Sequence, residues 1–134
     1  RYDGFGAFES IASGTGIAER ARHILADVTA EQVFEAARQG HAWAQTIVDE
    51  TVDYLAMAIA NISTLLDPEM IILGGGVANS ADVIVDPIRR RIEGAIPIQP
   101  QLAVSRLGRK AVVMGTIVSL LHHTVDYYVV RRPS

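Results

Sequence analysis

The stretch of sequence that decides the fold is Leu66-Asp-Pro-Glu-Met-Ile-Ile-Leu-Gly-Gly-Gly-Val-Ala78. Its Asp-Pro pair predicts the end of a helix, because the residue before a proline disfavours helical backbone. The apolar run 70–73 is typical of a short strand that is covered on both faces of a sheet. Gly74, Gly75 and Gly76 then lead into the next helical pattern.

A buried strand that ends in glycines and leads into a helix has the geometry of a nucleotide site. Glycine lacks a Cβ atom, so the backbone can approach a ligand closely. Ligands of open α/β sheets collect at the carboxyl ends of strands, and the N–H groups at a helix start favour anions. A tight turn without a ligand explains the three glycines equally well, since short glycine motifs are weak signals.

Helical patterns precede this stretch. A helix is expected over 17–25, after a glycine-rich interruption. Thr29 and Gln32 form a capping box that opens a helix ending near residue 38. Apolar residues then recur at helical spacing over 41–66, which predicts one long amphipathic helix.

The rest of the chain adds one more strand. A helix is expected over 80–93, where Pro87 should introduce a kink or mark a helix start. The second strand is expected over 102–105, and a last helix over 111–128, whose apolar first half predicts burial. The fold class is therefore α/β, helix-rich with about two strands. Because two strands make no independent sheet, the chain is expected to be one part of a larger protein.

Composition narrows the classes of function. The 134 residues suffice for one domain, and the net charge of -3 argues against direct nucleic-acid contact. The lack of cysteine excludes disulfides and thiolate metal sites and fits a cytoplasmic protein. The most apolar stretch, 111–121, is shorter than the roughly 20 residues that a bilayer crossing requires, so no membrane contact is expected.

Three segments together resemble the ROK family (repressor, open reading frame, kinase), which comprises bacterial sugar kinases and sugar-responsive repressors. They are Leu66–Ala78, Gly6-Ala-Phe-Glu-Ser-Ile-Ala-Ser-Gly14, and Val104-Ser-Arg-Leu-Gly108 followed by Ala111 and Gly115. The resemblance implies a partial actin-like ATPase (ribonuclease H-like) fold. It also implies that residues 1–134 form the carboxy-terminal part of that domain, with an amino-terminal portion elsewhere.

The resemblance assigns roles to four residues. Glu9 matches the glutamate that hydrogen-bonds sugar hydroxyls in the family, and a carboxylate can accept from two adjacent hydroxyls. Gly74, Gly75 and Gly76 match the glycine motif on the adenosine side of the kinases, where ATP binds with Mg²⁺. Taken without the motif, Glu9 is better explained as a first-turn glutamate that the helix dipole favours.

The sequence departs from the family pattern at its zinc motif. Tyr2 and Ala7 occupy positions where cysteines are expected, so no zinc is expected here. The loop before Glu9 should then be held in another way, such as packing of Tyr2 and Phe5. Ser13-Gly-Thr-Gly16 superficially resembles a phosphate loop, but it lacks a preceding strand, and we interpret it as a turn between helices.

The favoured hypothesis is that the complete protein is a ROK-type sugar kinase that phosphorylates a hexose with ATP. Its catalytic aspartate and phosphate loops would lie outside this chain, so the chain alone should be inactive. The alternative is the sugar-sensing and dimerisation domain of a ROK-type transcriptional regulator. A third hypothesis is a structural remnant without ligand. The apolar helices make a homo-oligomer plausible.

Two charged clusters have simpler explanations than ligand binding. Asp49, Glu50 and Asp53 could be imagined as a metal site, but a solvated helix face is the expected explanation. The arginines of 89–91 could grip a phosphate, yet a solvated helix end explains them as well.

Overall fold

The protein is described here by a computed structural model covering residues 6–125. Over this range the chain forms six α-helices and two parallel β-strands. In chain order they are α1 (Glu9–Ala12), α2 (Gly14–Ala21), α3 (Ala30–Arg38), α4 (Ala42–Leu66), β1 (Met70–Leu73), α5 (Ala81–Ile92), β2 (Gln101–Val104) and α6 (Ala111–Val125). The helix-rich α/β class with two strands is confirmed.

Local signals set most of the boundaries as expected. The capping box at α3 is formed by both of its hydrogen bonds: the Gln32 amide donates to Thr29 Oγ1, and the Thr29 amide donates to Gln32 Oε1. The long helix α4 ends at Asp67, which takes a left-handed conformation with φ of 46° just before the proline. Capping and the Asp-Pro pair therefore act as predicted.

One predicted helix start was wrong, and so was one of the two alternatives given for Pro87. The second helix begins at Gly14 rather than Ile17, because Ser13 caps it by accepting from the Gly16 amide at 3.0 Å. Pro87 does not begin a helix, since α5 runs through it from Ala81 to Ile92. The buried face of α5 outweighs the one hydrogen bond that a proline removes from the helix ladder.

The core lies around α4, which packs against α1, α2, α3 and α5. Apolar side chains of α2, α3, α4 and α5 form this core and are shielded from solvent. The largest fully buried ones are Phe34, Ile17, Ile84, Ile88, Ile92, Val33 and Val52. This cluster fixes the positions of the shorter elements, including α1 and the turn after β1.

The two-stranded sheet is covered on one face only within the described residues. Strands β1 and β2 run parallel, with Ile71 opposite Leu102, and both of these side chains pack against the core. On the opposite face, Met70 and Ile72 are exposed, Ile72 by 62%. The prediction of a strand buried on both faces is therefore wrong for this part of the chain, because apolar composition does not show what covers a strand.

Helix α6 differs most from its prediction. Its side chains between 112 and 121 are exposed, with Val112 at 79%, although their apolar composition predicts burial. Apart from the short turn Gly108–Lys110 before it, no described element packs extensively against α6. The predicted extension to residue 128, with Tyr127 and Tyr128, lies outside the described residues. No helix within residues 6–125 combines the length and hydropathy needed to cross a membrane.

Candidate functional site

The glycine turn, Gly74 to Gly76, follows the carboxyl end of β1. Gly75 has a φ of +74°, which side-chain-bearing residues rarely adopt. Gly76 has an ordinary helical conformation, and its carbonyl accepts from the Asn79 amide at 3.2 Å as the chain enters the short 3₁₀ turn Val77–Ser80. Only Gly75 is therefore required by the conformation of the turn.

The space around the other two glycines is open. A Cβ atom at Gly74 would lie 3.9 Å from Cβ of Ser105, which is an ordinary contact. A Cβ atom at Gly76 would meet no described atom within 4 Å. A bare turn thus explains one of the three glycines, and the exposed backbone at Gly74 and Gly76 is left open to an approaching group.

The glycine turn forms one wall of a cleft of about 320 Å³. Ala12 of α1 and Phe8, the residue just before α1, form the facing wall, and Leu55, Leu73 and Ile84 are among its apolar lining residues. The start of α2, at Ser13 and Gly14, also borders the cleft. Residues more than 60 positions apart in sequence thus meet at the carboxyl end of β1, where α/β folds commonly bind ligands.

A second cleft, of about 400 Å³, lies between α2 and α3 and shares Gly14 and Gly76 with the first. Its lining includes the apolar Val28 and Phe34 and the polar side chains of Arg22 and Thr29. Arg22 forms an ion pair with Glu19 of its own helix. The glycine turn therefore separates an apolar cleft from a more polar one.

Glu9 is the first residue of α1 and is exposed. Its carboxylate has no hydrogen bond or ion pair with any residue in the described part of the chain. The structure brings α1 to the glycine turn through Phe8 and Ala12, while Glu9 itself does not line that cleft. The four predicted site residues thus lie around one short helix and one turn, with Glu9 next to the cleft wall.

The segment before Glu9 shows one local restraint that the sequence did not reveal. Ser10 Oγ donates to the Ala7 carbonyl at 2.8 Å, which closes the turn at one of the positions where the family carries a cysteine. Tyr2 and Phe5, whose packing was expected to hold this loop, lie outside the described residues. Over residues 6–125, no three His, Asp or Glu side chains are grouped as metal ligands would be.

The acidic residues of α4 are solvated and also paired. Arg91 of α5 pairs with both Asp49, at 3.2 Å, and Asp53, and Arg20 of α2 pairs with Glu50 at 2.5 Å. All three carboxylate side chains are more than half exposed, so the face is solvated as expected, and the ion pairs engage the carboxylates that a metal would need. Arg89 pairs with Asp86 in its own helix.

Sequence patterns also missed the pair between α3 and α5. Arg38 Nε and Nη2 donate to the two carboxylate oxygens of Asp82 at 2.6 and 2.7 Å. The hydrogen bonds from Arg38 hold the pKa of Asp82 below its ordinary value and raise the pKa of Arg38. Residues 44 positions apart form this pair, so no local pattern could have indicated it.

Comparisons with known proteins identify the family. The ROK family profile matches residues 4–123. A glucokinase of Halalkalibacterium halodurans is 34% identical, over 82% of this chain and 39% of its own length. A ROK family glucokinase from Streptomyces griseus, solved with glucose and AMPPNP, superposes with a TM-score of 0.66 at 26% identity, over 78% of this chain and 41% of its own.

A ROK family protein from Streptococcus pneumoniae, solved with sucrose, gives a TM-score of 0.76 at 19% identity, over 89% of this chain and 44% of its own. The chain thus spans less than half the length of each of these relatives. The likeness confirms a partial actin-like ATPase fold. Because the family profile matches residues 4–123 of the 134, this chain belongs to the ROK family.

Proposed function

We propose that residues 1–134 form the carboxy-terminal part of an ATP-dependent sugar kinase. The observation that carries this proposal is the open backbone at Gly74 and Gly76, on the wall of a cleft that α1 closes from the other side. The similarity to two glucokinases favours a kinase over a transcriptional regulator. The substrate would be a hexose, and the catalytic aspartate would come from the rest of the protein.

The nucleotide would lie against the glycine turn. Backbone without a Cβ atom at Gly74 and Gly76 lets a flat base or ribose approach closely. The two clefts that meet at Gly76 give the nucleotide an apolar side and a polar side. Mg²⁺ would be held by the phosphates together with residues outside this chain, as is usual in phosphoryl transfer.

The sugar would be held in part by Glu9. Its carboxylate is exposed and has no partner among the described residues, so both oxygens can accept hydrogen bonds from adjacent hydroxyls. Hydrogen bonds that an ionised carboxylate accepts are about twice as strong as those between neutral groups. No zinc is proposed, since the chain has no cysteine to form the family's motif.

Two further properties follow from the proposal. A kinase that uses ATP works in the cytoplasm, which is where we place this protein. The exposed apolar faces of β1 and α6 favour contact with the remainder of the protein or a second subunit, since large exposed apolar patches mark interaction sites.

Titration calorimetry on the complete protein tests the two ligand assignments separately. Gly76→Val should weaken AMPPNP binding at least about tenfold and leave glucose affinity unchanged, because the added side chain fills the open face of the turn. Glu9→Gln should weaken glucose binding by a similar factor and leave AMPPNP unchanged. Thr46→Val on the exposed side of α4 is the control, since Thr46 lines neither cleft.

Several results would count against the proposal. If neither AMPPNP nor any hexose produces heat with the complete protein, the kinase assignment is lost. If Gly76→Val and Thr46→Val bind AMPPNP equally, the glycine turn is only a turn. Glucose phosphorylation by the isolated 134 residues would show that the chain does not depend on another portion for its catalytic groups.

A further inference from the structure

Arg20 connects three helices through one guanidinium group. From α2, its Nη2 donates to the carbonyl of Ile11 in α1 at 2.9 Å and to Thr51 Oγ1 of α4 at 2.5 Å. Its Nη1 forms the ion pair with Glu50 of α4. The side chain is only 20% exposed, so these partners surround most of it.

The third nitrogen of the guanidinium, Nε, loses its hydrogen bonding in this arrangement of the described residues. Arg20 Nε is buried and has no hydrogen-bond partner in the part of the chain that the structure describes. Buried donors without partners are rare because each forfeits its hydration. The partners of Nη1 and Nη2, which lie in α1 and α4, therefore fix where the guanidinium sits.

The element whose position depends most on these contacts is α1. This helix has only four residues, too few to be stable without tertiary contacts. It carries Glu9 at its start and presents Phe8 and Ala12 to the cleft beside the glycine turn. The bond from Arg20 to the Ile11 carbonyl caps its last turn and ties it to α4.

We propose that Arg20 is a positioning residue that sets the location of Glu9 by holding α1 against α4. This proposal rests on the assignment of Glu9 to the sugar. The planar fork of arginine can reach acceptors on two helices at once, whereas a lysine offers a single ammonium centre. Glu50 and Thr51 of α4 fix the orientation of the guanidinium, and the Ile11 carbonyl of α1 accepts a hydrogen bond from it.

Arg91→Lys is the matched control for the test. Arg91 also joins a neighbouring helix to α4 through two carboxylates and is similarly enclosed at 30% exposure, and its ion pairs within residues 6–125 are with α4 alone. A merely stabilising role for Arg20 would make the two lysine variants behave alike. A positioning role predicts that Arg20→Lys affects α1 and that Arg91→Lys does not.

Amide hydrogen exchange on the complete protein without ligand is the first measurement. In Arg20→Lys, the amides of Ala12 and Ser13, which donate to Phe8 and Glu9, should exchange at least about fivefold faster. Amides of α5 should be unchanged in this variant. Arg91→Lys should leave α1 protected. Unchanged exchange of α1 in Arg20→Lys would overturn the proposal whether or not the protein binds a sugar.

Kinetics provide the second measurement. Arg20→Lys should raise KM for glucose about tenfold while kcat and KM for ATP stay within about twofold. In a Glu9→Gln background, Arg20→Lys should have no further effect on KM for glucose, because the group that it places is already impaired.

The two proposals fail in different ways. If Glu9→Gln alone leaves KM for glucose unchanged, the sugar assignment of Glu9 is wrong, and with it the route by which Arg20 was to act. A different result would leave the assignment of Glu9 intact, with Glu9→Gln raising KM for glucose, and still contradict the role of Arg20. Arg20→Lys would then raise KM equally with and without Glu9→Gln, or Arg91→Lys would raise KM as much as Arg20→Lys. Either outcome would show that Arg20 does not act through Glu9.

Discussion

Ser13-Gly-Thr-Gly16 and the glycine turn are both glycine-rich starts of helical segments, and both border the same cleft. Their glycines nevertheless have different physical causes. A Cβ atom at Gly16 would overlap the carbonyl oxygen of Ser10, so this glycine is required by the packing of α1 on α2. Gly75 is required by its positive φ, and Gly76 by nothing within the described residues.

The difference teaches that a count of glycines does not locate a ligand site. What matters is the group that lies next to each Cα atom: protein backbone at Gly16, and open cleft at Gly76. The sequence-based interpretation of the first segment as a turn between helices holds at Ser13 alone, because Gly14 to Gly16 already belong to α2. In the second segment, the backbone at Gly74 and Gly76 is open, and the conformation of the turn does not require glycine at either position.

Gly16→Ala should have the largest effect on stability. The added methyl group meets main-chain atoms of α1 that cannot rotate away, so overpacking should lower the free energy of unfolding by about 1–3 kcal/mol. Gly14→Ala is the control, because its Cβ would lie 3.8 Å from Cβ of Ala30 in ordinary contact. Urea denaturation of both variants makes the comparison, and equal midpoints would show that α1 does not pack as described.

Gly75→Ala should come next. A residue other than glycine loses about 1–2 kcal/mol in the left-handed region, and the surroundings offer no compensating contact. The same denaturation curves measure it. Because asparagine tolerates this conformation better than alanine, Gly75→Asn should recover part of the loss. A Gly75→Ala variant as stable as the parent would mean that the turn can adopt another conformation.

Ser13→Ala should have a smaller effect within the first segment. Ser13 Oγ accepts from the Gly16 amide, and removing an N-cap oxygen costs about 1 kcal/mol. Thr15→Ala, in the exposed first turn of α2, should change stability by less than about 0.5 kcal/mol. Matching losses in the two variants would argue that Ser13 does not cap the helix.

Gly76→Ala should have the smallest effect, with the opposite sign. Its φ of −64° suits alanine, so the substitution should stabilise the fold by about 0.5 kcal/mol through the unfolded state. The thermal midpoint should rise slightly. A loss comparable to that of Gly75→Ala would indicate that both positions are required by the turn, and the case for an open nucleotide-facing backbone would disappear.

Elements with local causes were predictable from the sequence. The capping box at Thr29, the long apolar periodicity of α4 and the Asp-Pro pair all act within a few residues, and each boundary fell close to its expected place. The start of α2 was missed because Ser13 and the close approach of Gly16 to α1 involve tertiary packing as well as local capping.

The candidate site was predictable only in part. The motif identified the glycines and Glu9, but not that Phe8 and Ala12 would close the cleft between them. The acidic partners that join Arg20, Arg38 and Arg91 to other helices lie 30 or more positions away along the chain: Glu50, Asp82 and Asp53. Pairing over such distances depends on how helices pack, which no short pattern encodes.

By itself, the sequence determined the family, the order of the elements and the identity of four candidate ligand residues. It could do so because capping, proline stops and glycine motifs are local, and because the motif order is specific. Only the tertiary structure decided which glycine is packed, strained or open, and which apolar faces stay exposed. The physical reason is that each of these properties depends on the neighbour across space: the Ser10 carbonyl over Gly16, and open cleft over Gly76.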